Sequence, residues 1–91
     1  MDEHTEDVQD QIAAIRGKID EIDCSIVQLL NDRAVMALKI RELKPQANLG
    51  LYDPKREEEI FENLAECNQG PLYGENLREI YSAILHVMKE L

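Results

Sequence analysis

The chain has 91 residues, 44% hydrophobic and 32% charged, which is room for one small globular domain and too apolar for a disordered chain. A formal net charge of −9 at pH 7 argues against nucleic acid as a partner, because phosphates need a cationic face. The acidic start "MDEHTEDVQD" lacks a signal-peptide layout and no apolar run approaches a membrane span, so a cytoplasmic protein with no membrane partner is expected.

In chain order, residues 1–7 are expected to form a disordered tail and residues 8–91 the folded domain. Apolar residues then recur at Ile12, Ile15, Ile19, Ile22, Ile26 and Leu29, pass through Arg33, and resume at Met36, Ile40 and Leu43. The alternating steps of three and four predict a helix from about Asp7 to Leu43, ended by Pro45. "KPQANLGLYD" reads as a loop punctuated by Pro45, Asn48 and Gly50. Asp53 followed by Pro54 is a helix start, since Asp caps free amides and Pro tolerates the first helical position. That second helix should stop near Asn68, with Gly70 and Pro71 beyond it. A third helix from about Glu75 to the end places Leu77, Ile80, Tyr81, Ile84, Leu85, Met88 and Leu91 on one face. No strand pattern or repeat is visible, so the expected fold class is all-α, with one very long helix and two shorter ones.

At ~1.5 Å per residue the first helix would run roughly 55 Å, against roughly 22 and 25 Å for the others. A compact monomer of this size should be only about 30 Å across. Much of the long seam would then stay wet in one chain, which predicts an intertwined helical homodimer. The plainer alternative, a simple coiled-coil dimer, is weakened by the two further amphipathic helices.

Arg33 is the one charged residue in ten seam positions, and Arg16 and Lys44 lie in the adjoining stripe with Asp23, Val27, Leu30, Ala34 and Ala37. Arg33 and Lys44 face the same way, ~16 Å apart along the axis, while Arg16 is ~42 Å from Lys44 within its own chain. An antiparallel partner could bring its own Arg16 to that place, giving two equivalent sites built from both chains. Arg56 and Glu57 follow the Asp53 cap across the loop from Lys44. The ordinary alternative is that Arg33 snorkels or pairs with a carboxylate such as Asp23, and that Lys44 and Arg56 are solvated. Several cations gathered near an apolar face are costly unless an anion neutralises them, which points to a small dicarboxylate ligand.

The stretches "IRGKIDEID" (15–23), "LLNDR" (29–33), Lys44, "YDPKREEEI" (52–60) and "NQGPL" (68–72) resemble the all-helical class of chorismate mutases. The likeness is to the mutase domain of bifunctional chorismate mutase–prephenate dehydratase proteins, and it covers residues 8 to 91. It implies an isomerase of phenylalanine and tyrosine biosynthesis that rearranges chorismate to prephenate without metal or cofactor. Carried over by position, Arg16 from the partner chain and Arg33 would hold the substrate carboxylates, and Lys44 would donate to the ether oxygen. Glu57 and the backbone near Asp53 would take the substrate hydroxyl, and Arg56 would complete the positive wall. Two positions depart from the family pattern. Met88 stands where members usually carry a small polar residue, and the second donor to the ether oxygen would fall at position 92, past Leu91. This predicts a domain cut from a longer protein, with slower turnover and a downstream prephenate dehydratase domain as covalent partner. The rival readings are a non-catalytic dimerisation or regulatory module and an isochorismate pyruvate lyase on the same scaffold.

Cys24 and Cys67 have no metal-type spacing and read as reduced thiols. His4 and His86 suggest no chemistry. Gly17 inside a helix costs roughly 1 kcal/mol relative to Ala and has no explanation in the sequence.

Overall fold

The computed structural model describes residues 3–46 and 53–91, with side chains from Asp7 onward. Asn48, Gly50, Tyr52 and the His4 side chain lie outside the described residues. Three helices form, α1 (Glu3–Leu43), α2 (Pro54–Cys67) and α3 (Gly74–Lys89), and among the described residues there is no strand. The fold is all-α, as the periodicity predicts.

Helix α1 begins at Glu3, ahead of the start near Asp7 that the apolar spacing predicts. At the other end the Lys44 amide still bonds the Ile40 carbonyl at 2.9 Å, and Pro45, with no N–H to give, stops the ladder.

Helix α2 starts on the cap its sequence calls for. Asp53 is extended (φ −137°) and its Oδ1 accepts the Arg56 amide at 3.2 Å, with Pro54 at the first position. It ends at Cys67, where the Asn68 amide bonds the Leu64 carbonyl at 3.0 Å. Asn68 then clasps the turn. Its Oδ1 accepts the Gly70 amide at 3.0 Å and its Nδ2 donates to the Leu72 carbonyl at 2.9 Å. Gly70 has φ +76°, a left-handed conformation that side chains rarely adopt, and the Gly70–Pro71 peptide is cis. At the start of α3 the Tyr73 amide donates to Asn76 Oδ1 at 2.9 Å.

The chain divides into two units, Met1–Val35 and Met36–Leu91. In the second, α2 and α3 pack on each other. Ile60, Phe61 and Leu64 on α2 and Leu77, Tyr81, Ile84 and Met88 on α3 are half-buried, and Leu85 on α3 is buried. The Arg78 guanidinium lies 4.2 Å from the Phe61 ring centroid, a cation–π contact across the pair.

The first unit has no buried residue among those described, and only Leu30, Arg33 and Ala34 are partly covered. The seam isoleucines stay in water, from 44% exposed at Ile12 to 58% at Ile22. Gly17 sits in open space, where a Cβ would meet nothing within 4 Å. No described helix is long and apolar enough to cross a membrane.

Candidate functional site

The first turn of α2 gathers three of the residues that the sequence singles out. Asp53 caps the helix through its side chain to the Arg56 amide, and its carbonyl accepts the Glu57 amide at 3.2 Å. Asp53, Arg56 and Glu57 are thus fixed relative to one another by backbone geometry. The Arg56 guanidinium leans along the helix to Glu59, 3.5 Å away, with both side chains well exposed, so this pair adds little stability. Glu57 turns toward α3 instead. Its Oε1 lies 2.6 Å from Lys89 Nζ, and the Glu57 side chain is 25% exposed.

Exposure separates the remaining candidates. Among the described charged residues, only Arg33, Lys44 and Glu57 are not fully exposed. Arg16, Asp53 and Arg56 are exposed, and Met88 is half-buried on α3. Asp23 is not the partner of Arg33: no ion pair joins Arg33 to a carboxylate among the described residues. Arg16 and Arg33 both lie in the first unit, seventeen positions apart on α1, about 25 Å along its axis. One small molecule cannot touch both arginines of a single chain. Lys44, Asp53, Arg56, Glu57 and Met88 belong to the second unit.

Two features of this region escape a reading of the sequence. A cleft of about 240 Å³ opens between α2 and α3, lined by Glu57, Phe61, Ser82, Leu85, His86 and Lys89. Lys89 is the second. In sequence it is a basic residue in a last helical turn, which suits the helix dipole and suggests nothing more. The signal that could have found it is position alone, next to Met88. The last turn carrying Lys89 is held from α1, where the Arg41 guanidinium donates to the Lys89 carbonyl oxygen and to a main-chain oxygen of Leu91. His86 is exposed and reaches Glu90 at 3.2 Å, and Ser82 donates its hydroxyl to the Arg78 carbonyl at 2.6 Å. Cys24 and Cys67 are free and exposed. Among the described residues no three His, Cys, Asp or Glu side chains gather as a metal site.

The family model for chorismate mutase type II matches residues 15–91, and the chain belongs to that family. Over 82 residues it is 38% identical to the bifunctional chorismate mutase/prephenate dehydratase of Aquifex aeolicus, covering 90% of this chain and 22% of that one. A chorismate mutase of Methanocaldococcus jannaschii is 34% identical over 68 residues, 75% of this chain and 69% of the relative. The Form II structure of chorismate mutase from Thermus thermophilus superposes with a TM-score of 0.85 at 33% identity, covering 89% of this chain and 92% of that chain. The chain therefore spans about a fifth of the length of the bifunctional relative, 22%, and most of the free-standing ones.

Proposed function

We propose that the chain is a chorismate mutase, an isomerase converting chorismate to prephenate. The observation that carries this reading is the partial burial of Arg33, Lys44 and Glu57, alone among the described charged residues. These are the positions to which the family pattern assigns carboxylate binding, ether-oxygen donation and hydroxyl acceptance.

The reaction is unimolecular and pericyclic, so the protein has no bond to make with its substrate. Its work is to hold the enolpyruvyl arm folded over the ring, a conformer that water disfavours, and to stabilise charge as the C–O bond breaks. Arg33 and a partner chain's Arg16 hold the two carboxylates. Lys44 donates to the ether oxygen, where negative charge grows; a fixed donor of this kind contributes about 3 kcal/mol to the transition state. Glu57 and the Asp53 backbone take the ring hydroxyl, and Arg56 offsets the two negative charges of the substrate. Met88 supplies shape and no hydrogen bond.

The active form in this proposal is a homodimer. Its support is the exposed isoleucine seam of α1, together with the separation of Arg16 from Arg33 within one chain. A cytoplasmic setting and a covalent prephenate dehydratase domain fit the same reading, because such a domain consumes the mutase's product.

The test is to mix the purified chain with chorismate, follow the loss of its absorbance and identify prephenate. A rate above the uncatalysed background supports the reading. Background rate alone would leave the fold as a dimerisation module, and pyruvate release in place of prephenate would make the protein a lyase.

A further inference from the structure

We infer that Lys89 is a positioning residue for this reaction, holding Glu57 as the acceptor of the substrate hydroxyl; the inference rests on the mutase reading of the site. Lys89 Nζ lies 2.6 Å from Glu57 Oε1, with the two side chains 48% and 25% exposed. That contact occupies one carboxylate oxygen and orients the other, Oε2, which is the one left to accept a hydroxyl. It also meets an electrostatic need. Glu57, Glu58 and Glu59 stand together at the start of α2 in a chain of net charge −9, and the substrate brings two more negative charges. An uncompensated Glu57 beside that dianion would repel it, whereas the ammonium neutralises the one glutamate that faces α3.

The ammonium is set in place by more than its own side chain. Arg41 donates to the Lys89 carbonyl oxygen and to a main-chain oxygen of Leu91, which anchors the last turn of α3. The Leu85 core and the Phe61–Arg78 contact fix α3 against α2, and Glu57 and Lys89 line the same cleft. Lys89 need not touch substrate to act. Its effect passes through Glu57, on a hydroxyl remote from the breaking bond and bound alike in ground and transition states, so it should appear in KM more than in kcat.

The experiment is steady-state kinetics with chorismate on Lys89→Met, Lys89→Arg, Glu57→Gln and the Lys89→Met/Glu57→Gln double variant. For a half-exposed pair, Lys89→Met should raise KM about fivefold with kcat changed less than about twofold. Lys89→Arg keeps the charge and should hold KM within about twofold of wild type. In the Glu57→Gln background the same Lys89→Met change should move KM by less than about twofold, because its partner is already gone. A general loosening of α3 would act equally in both backgrounds, so additive effects overturn the inference. So does a Lys89→Met protein with unchanged KM while the wild type turns chorismate over, an outcome that leaves the mutase reading standing. A wild type that does not turn chorismate over overturns both.

Discussion

Replacing Ile22 with Asp tests the proposed homodimer at a bare isoleucine of the α1 seam. Ile22 is 58% exposed in the middle of the seam, flanked by Ile19 at 48% and Ile26 at 47%. Full burial of an isoleucine stabilises by about 1.5–3 kcal/mol, so more than half the side chain still offers about 1 kcal/mol to a partner. Twofold symmetry counts the position twice, about 2 kcal/mol for the pair of chains. A carboxylate at the same place would also have to leave water, at several kcal/mol per ion, and would face its symmetry mate. A combined penalty of at least about 4 kcal/mol weakens association about a thousandfold. Light scattering after size exclusion, across a dilution series, reads the dissociation midpoint of wild type and variant. Turnover should fall with dimer content, while Ile22→Leu leaves both in place. A wild type that is monomeric, or an Ile22→Asp protein that dissociates at the wild-type concentration, would refute the reasoning.

Further outcomes follow from the residues around Lys44 and Asp53. Lys44→Met should lower kcat by about 10²–10³, the usual effect of removing one donor to a developing oxyanion, with the dimer intact by light scattering. Arg16→Ala and Arg33→Ala should each abolish most turnover. Mixed after unfolding together, they should recover about a quarter of wild-type activity, since half the dimers are mixed and each of those has one intact site. No recovery would refute a site built from Arg16 of one chain and Arg33 of the other. Asp53→Ala removes the side-chain cap of α2 and should cost about 1 kcal/mol, read as a lower midpoint of thermal unfolding, with Asp53→Ser nearly neutral.

The parts of the fold legible in the sequence are those set by neighbours along the chain. Asp53, Pro54 and the amide of Arg56 lie within one turn, so the start of α2 can be read from residue types alone. The three-four spacing identifies the seam of α1. It does not say which part of the helix is covered within the chain. The structure half-covers Leu30, Ala34, Ala37 and Lys44 on the adjoining stripe, with Arg33, and leaves the isoleucines bare. Arg33, Lys44 and Glu57 stand out in the sequence because charge breaks an apolar pattern or follows a cap. Lys89 does not, because its significance depends on α3 packing over α2, which brings together residues from opposite ends of that pair. The clasp of Asn68 on Gly70 and Leu72 is similar: "NQGPL" signals a turn, while the two bonds that shape it depend on the orientation of one amide.

In the homodimer proposed above, the bare isoleucines of α1 bear on the life of the chain before it finds a mate. A newly synthesised copy displays Ile12, Ile15, Ile19, Ile22 and Ile26 to the surrounding water, and little within its first thirty-five residues can shelter them. Survival of such a copy against proteases and chaperones is then a contest of rates, decided by how soon another copy arrives. Scarcity of the protein would shorten its half-life, and abundance would protect it.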